Sequence, residues 1–371
     1  MSAIYSRFFA NSRRSGFVPV ASAAVGKFIW SRRISRSADK PAEARLLLSA
    51  DDRIVVDGMN ELYLFDRNGS QVCALPRWYG CQVALDDDRL AFTTAARKDR
   101  IQIVDLQGRT LAEDLRIPGL IDQSSLVLFE PRESDFYAQI QFAGDIHGAP
   151  PFFMVFKAPL NDPWFDWVMD VPTPSSPIIP LVNYEARYLA TTNAGEILIL
   201  DFDSRQREAA PIARFPFPLE TATHWMSSAA DGTLYFTGRG DHGIGICATD
   251  VKGGLSFVVG DDVASRLPGR PVAPPMLAQD RSWVLTTGAL VCLQRDKLLW
   301  LYGAKETTFS LATALADYSV LVVAVNRLIR ISPAGETMFD IVFEEELNTP
   351  PVVDATGRIY VASKEMLYAF D

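Results

Sequence analysis

Eight short apolar runs, each preceded by a polar turn, recur along this chain and confine it to a repeat architecture. They begin at Ile54, Leu90, Phe136, Tyr188, Leu234, Trp283, Val320 and Ile359, and successive starts lie 36 to 52 residues apart. That spacing suits a supersecondary unit of four short strands, which cannot bury its own apolar faces and must stack on neighbours like itself. Propeller blades meet this requirement.

Each unit reads as four strands. A first run precedes the polar turn (residues 46–50, 82–86, 126–130, 178–182, 226–230, 276–280, 311–315 and 351–355), and the runs above follow as the second strand. Third runs occur at 61–66, 101–106, 152–157, 196–201, 245–250, 289–294, 327–332 and 366–371. All are rich in β-branched, leucine and aromatic residues, and most stop at a polar residue where a turn begins. Asn68-Gly69 reads as a type I′ hairpin turn, and Ala334-Gly335 as another tight turn. Fourth runs follow in seven units: VCALP, LAEDLRI, WFDWVMD, PIARFPF, SFVVG, LLWLYG and MFDIVF. The eighth unit ends at Asp371 without one. Gly26-Lys27-Phe28-Ile29-Trp30-Ser31 echoes Asp296-Lys297-Leu298-Leu299-Trp300-Leu301, the fourth strand of unit six, and is the expected partner. An N-terminal strand completing the last blade closes a ring and removes exposed sheet edges. The expected fold is all-β, an eight-bladed β-propeller over residues 26–371, with residues 1–25 as a basic arm.

Bulk properties agree. In a chain of 371 residues, 48% hydrophobic and 22% charged content is that of a globular protein. No apolar run approaches the about 18 residues of a membrane-spanning helix. Cys73, Cys81, Cys247 and Cys292 are too scattered for a disulfide framework or zinc motif and read as buried free thiols. The net charge of −9 hides an asymmetry: residues 1–45 carry nine basic and two acidic side chains, the remainder 27 basic and 43 acidic. The acidic body argues against a nucleic-acid partner, because like charge repels a polyanion.

The C-terminal unit, Thr349-Pro350-Pro351-Val352-Val353-Asp354-Ala355-Thr356-Gly357-Arg358-Ile359-Tyr360-Val361 with Leu367-Tyr368-Ala369-Phe370-Asp371, resembles the PQQ-like repeat of quinoprotein-dehydrogenase-like propellers. The resemblance implies eight blades and a non-catalytic member, and transfers no activity. Catalytic members carry an adjacent-cysteine pair with calcium and quinone ligands; no Cys-Cys occurs here and no quinone ligand can be assigned. No cofactor, PQQ included, and no metal is therefore expected. Outer-membrane assembly lipoproteins are among the non-catalytic relatives. Their N-terminal lipidated cysteine has no counterpart, since the first cysteine is Cys73.

In a four-stranded blade, the 2–3 hairpins and blade-to-blade loops share one end. His147 with Asp145, His242 with Asp241, and His224 all map there, the material of general acid–base chemistry. No motif of known catalytic spacing accompanies them. A lyase or hydrolase using these residues is the alternative to a binding role. Arg77, Trp78 and Tyr79 in one loop, with Trp225 and Arg239, form aromatic–arginine material typical of interface anchors. Arg13 and Arg14 lie in the arm, which has no acidic residue and is rich in Ser, Arg and Ala. The arm is expected to be retained, folding against the propeller or a partner. Read instead as a targeting segment, it replaces the expected cytoplasmic location with an exported or organellar one. The expected function is that of a scaffold recognising a protein or peptide through the loop end and the central funnel.

Overall fold

The computed structural model describes residues 17–22, 24–34, 45–49, 51–58, 61–76, 83–86, 89–93, 100–116, 127–129, 135–141, 152–159, 171–172, 179–180, 187–191, 196–203, 208–216, 225–229, 233–240, 243–249, 255–257, 268–294, 297–303 and 308–371. Two strands, β1 (Phe17–Val18) and β2 (Phe28–Arg33), precede the repeats. Sheet one holds β3 (Arg45–Leu48), β4 (Ile54–Asp57), β5 (Glu61–Phe65) and β6 (Gln71–Pro76). Sheet two holds β7 (Ala84–Asp86), β8 (Arg89–Thr93), β9 (Arg100–Asp105) and β10 (Thr110–Arg116). Sheet three follows with β11 (Val127–Phe129), β12 (Asp135–Gln141), β13 (Phe152–Pro159) and β14 (Val171–Pro172), and sheet four with β15 (Ile179–Pro180), β16 (Arg187–Thr191), β17 (Glu196–Asp203) and β18 (Glu208–Pro216). Sheet five is β19 (Trp225–Ser228), β20 (Leu234–Gly240), β21 (Gly243–Thr249) and β22 (Leu255–Phe257). Sheet six is β23 (Met276–Leu277), β24 (Arg281–Leu285), β25 (Leu290–Gln294) and β26 (Lys297–Tyr302). Sheet seven is β27 (Leu311–Leu315), β28 (Val320–Ala324), β29 (Arg327–Ile331) and β30 (Thr337–Val342); the last sheet is β31 (Val352–Val353), β32 (Ile359–Ala362) and β33 (Met366–Phe370).

Every sheet is an antiparallel meander, and two depart from the simple four-in-a-row pattern. Strand β2 pairs antiparallel with β33, Ser31 opposite Tyr368, so the N-terminal echo does supply the last sheet's fourth strand. Strand β1 adds a fifth strand to sheet seven, parallel to β27, with Phe17 opposite Ala314 and Val18 opposite Leu315. Nothing in the apolar patterning had marked residues 17–18 as a strand. In sheet three the described fourth strand begins at Val171, just past the expected WFDWVMD run, whose residues lie outside the described ones.

Burial explains the sequence pattern. Strands β4 and β28 are buried at every position because a sheet covers each of their faces, so they read as continuous apolar runs. The fourth strands β6 and β30 alternate between exposed and half-buried residues, which is why they were the least regular in sequence. First strands converge: β7 lies against β11, β19 against β23, β23 against β27, and β3 against β31. The last contact brings the first and last sheets together. One continuous apolar core accordingly runs through sheets seven, eight and one, joining Leu321, Tyr360, Val56 and Phe65 with Val18, Trp30 and Ile34 of the N-terminal segment.

Candidate functional site

The best-defined chemistry lies at the end of the sheets where strands one and two, and strands three and four, are joined. One turn recurs there. In Asp66–Ser70, Asp105–Arg109, Ser332–Glu336 and Asp354–Arg358, the first side chain accepts backbone N–H groups two and four residues on, at 2.8–3.2 Å. The fourth residue is a glycine, whose φ lies between +78° and +91°. Gly69 donates its N–H to Asp66 O while Asp66 N–H donates to Ser70 O. This is a type I turn followed by a left-handed residue, with the register shift it imposes between β5 and β6. The expected type I′ turn at Asn68-Gly69 is therefore corrected, since Asn68 is absent from the positive-φ residues. Asp66 captures two N–H groups that a type I′ turn would direct elsewhere.

Two of these turns are docking sites for a tryptophan and an arginine of the preceding sheet. Trp300 of β26 covers Gly335 in sheet seven and donates its indole N–H to Pro333 O at 2.9 Å. Arg281 of β24 donates to the same carbonyl at 3.1 Å. Trp30 of β2 covers Gly69 in sheet one and donates to Arg67 O at 3.2 Å, and Arg358 reaches that carbonyl at 3.2 Å. The seam between sheets eight and one thus repeats the tryptophan, arginine and glycine contacts of the seam between six and seven.

Behind Trp30 sits a buried polar cluster. Asp354, fully buried, accepts from Thr356 N, Thr356 Oγ1 and Arg358 N on one oxygen. Its other oxygen accepts the Tyr360 hydroxyl at 2.9 Å and lies 3.1 Å from Arg67 Nε. Burial, and then the Asp354 charge, push the Tyr360 hydroxyl well above its usual range, keeping it a donor. Four hydrogen-bond donors and the Arg67 ion pair engage this carboxylate, so the cluster holds chain together. Asp52, in the sheet-one turn, completes it less well. Its Oδ1 has no hydrogen-bond partner, and burial together with the nearby Asp354 charge raises its pKa.

The N-terminal segment crosses this same end. Ala316 N–H donates to Val20 O at 3.1 Å, Ser22 Oγ donates to Gly357 O, and Lys27 and Asp371 exchange backbone bonds at 2.7 and 2.9 Å. Arg330, 2% exposed near the end of β29, organises the crossing. Its guanidinium donates to Ala24 O at 2.7 Å, to Ser22 O, to Ser319 Oγ at 3.2 Å and to Asp317 Oδ2 at 2.8 Å. Sequence reasoning passed over Arg330. The available signal was a lone arginine inside Leu-Ile-Arg-Ile, where a position buried on both faces demands an apolar side chain or a fully bonded charge.

The residues singled out from sequence fall mostly elsewhere. His147, His224, His242, Asp145, Asp241, Arg77, Trp78, Tyr79, Arg13 and Arg14 lie outside the described residues. Trp225 and Arg239 are described as backbone positions at one end of sheet five, Trp225 opposite Thr237 and Arg239 opposite Ile244. Of the cysteines whose side chains are described, Cys292 is buried and Cys73 half-buried, both as free thiols. Burial pushes the Cys292 thiol up to about 12. Among the described residues no helix is long and apolar enough to cross a membrane, and no group of three or more His, Cys, Asp or Glu could hold a metal ion.

No family model matches the chain, and no curated protein matches it. Its fold is that of solved β-propellers. BamB from Moraxella catarrhalis superposes with a TM-score of 0.61 at 13% identity, over 93% of this chain and 99% of that one. The WD40 β-propeller domain of Doa1 aligns over 93% of this chain and 97% of its own, at 10% identity and a TM-score of 0.48.

Proposed function

We propose that the chain is an eight-bladed β-propeller, closed by β2 in the last blade, that works as a non-enzymatic scaffold recognising a protein or peptide partner. The observation that carries the frame is the repetition of one seam. Trp30 and Arg358 bind a turn of sheet one as Trp300 and Arg281 bind a turn of sheet seven. Adjacent blades make the second contact, and its recurrence between the last and first sheets supports a ring joined the same way. The sequence of the C-terminal unit, Thr349 to Val361 with Leu367 to Asp371, supports a PQQ-like repeat.

A ring so stitched is rigid, and a rigid ring presents loops to a partner with little ordering entropy lost on binding. At the turn end, the buried charges of Asp354 and Arg330 are consumed by contacts within the chain. Recognition is therefore assigned to the opposite, loop end. There Arg77, Trp78, Tyr79, Trp225 and Arg239 serve as anchors around the funnel, with Arg13 and Arg14 of the arm as a second contact. Affinity capture from native lysate tests this, comparing the full chain with a variant carrying Arg77→Glu, Trp225→Ala and Arg239→Glu. A stoichiometric protein retained by the parent and lost by the variant is the expected result. Equal retention by both would refute the loop-end assignment.

A further inference from the structure

The recurring turn keeps its glycine but varies the residue before it, which is Asn68, Gln107, Ala334 or Thr356. In each case the backbone N–H of that residue donates to the first side chain of the turn, and its own side chain is exposed. The turn therefore asks nothing of the side chain at this position. Asparagine there adds a chemical property that the fold does not need. Asn68-Gly69 is the one Asn-Gly dipeptide in the sequence. A glycine, having no Cβ, leaves its backbone nitrogen open to attack on the asparagine amide before it. Alanine and threonine carry no amide, and glutamine would have to close a larger ring.

Contacts from the last sheet clamp this dipeptide on both sides. Arg67 O accepts from the Trp30 indole and from Arg358, each at 3.2 Å, and Gly69 O accepts from Arg32 Nε at 2.6 Å. Gly69 N–H donates to Asp66 O at 2.9 Å, with the Trp30 ring packed against Gly69. Closure of a ring onto the Asn68 side chain needs the Asn68–Gly69 peptide plane to swing out of this clamp. We propose that Asn68 is a site of spontaneous deamidation gated by the last sheet, and that its isoaspartate product releases the seam between sheets eight and one. In the first step Gly69 N bonds to Asn68 Cγ, the Cγ–Nδ2 bond breaks, and Nδ2 leaves as ammonia with the proton from Gly69 N. Water then opens the succinimide, and nothing is oxidised or reduced. Cleavage of the Cγ–N bond leaves aspartate. Cleavage at the main-chain carbonyl of residue 68 leaves isoaspartate, whose main chain is longer by one carbon. That carbon lies between Arg67 O and Gly69 O, the two carbonyls that the last sheet holds at once.

The test incubates the full chain in mildly alkaline buffer and follows the Asn68 peptide by mass spectrometry. The mass gain separates deamidation from the mass-neutral isomerisation open to Asp57-Gly58 and Asp231-Gly232. The folded parent should deamidate at least about tenfold more slowly than the same chain in denaturant, because only locally opened molecules react. Trp30→Phe keeps a ring over Gly69 but deletes the indole donor, and should speed the reaction about fivefold. Arg32→Met, at an exposed side chain, frees Gly69 O and should act in the same direction, which keeps the test open where Trp30→Phe folds poorly. Asn68→Asp supplies the new charge without the extra carbon and should melt with the parent. The isoaspartate fraction of the aged parent, resolved by chromatography, should melt below both. Equal rates in folded and denatured chain, or parental rates in both variants, would overturn the gate. An isoaspartate form that melts with Asn68→Asp would overturn the release of the seam.

Discussion

Asp52 and Asp105 occupy comparable turns and answer pH in opposite directions. Burial and the Asp354 charge raise the Asp52 pKa. A carboxyl raised in the folded state favours folding only while protonated, and that contribution is lost as pH rises through its folded value. Asp52→Asn is therefore expected to raise the thermal midpoint at about pH 7, with the gain closing as pH falls toward about 4. Asparagine also suits the φ of +57° at this position. At Asp105 burial opposes ionisation, but the Arg109 N–H and guanidinium and the Gln107 N–H outweigh it and hold the carboxyl low. Its contribution is present above the ordinary carboxylate range and lost as pH falls through the depressed value. Asp105→Asn should lower the midpoint near neutrality and become silent in acid. Arg330 is the larger lever. Replacing it with methionine strands the carbonyls of Ser22 and Ala24 and should cost about 2–4 kcal/mol in denaturant unfolding, with lysine failing to rescue a forked contact.

The turn with its docked tryptophan joins sheet six to sheet seven and sheet eight to sheet one. A Cβ at Gly69 would meet Trp30 Cδ2 at 2.8 Å, and one at Gly335 would meet Trp300 Cγ at 2.8 Å. Both glycines also hold positive φ. Either alanine substitution should cost about 1–3 kcal/mol through overpacking and left-handed strain. Removing the indole N–H alone, by Trp30→Phe or Trp300→Phe, should cost about 1 kcal/mol at each seam. Equal costs would mean that sheets eight and one are joined as firmly as six and seven; a silent Trp30→Phe beside a costly Trp300→Phe would mean they are not. This element was half legible in sequence. The echo of Lys27-Phe28-Ile29-Trp30 in Lys297-Leu298-Leu299-Trp300 pointed to equivalent strands. What each tryptophan covers was not legible, because Gly69 and Gly335 sit one sheet further on, and no local pattern encodes that distance.

For the whole molecule, the N-terminal segment is a clasp with two grips. It supplies β2 to the last sheet and β1 to sheet seven, and it buries Val18, Trp30 and Ile34 in the shared core. Deleting residues 1–34 should remove the single cooperative melting transition and leave the β33 edge free to self-associate, with loss of Trp30 alone worth about 3–5 kcal/mol. Calorimetry and size-exclusion chromatography read both outcomes, and an unchanged midpoint in a monomer would refute the clasp. The repeat period, the strand order within each sheet and the N-terminal partner of β33 followed from the amino-acid sequence alone. Burial on both faces writes itself as runs of β-branched and leucine residues, and strand pairing between neighbours in the chain is a local matter. The parallel pairing of β1 with β27, the choice of Arg330 as that segment's anchor and the Arg67–Asp354 ion pair were decided by tertiary structure. Each joins residues about 300 positions apart, whose partners are set by how distant segments meet in space rather than by a local pattern.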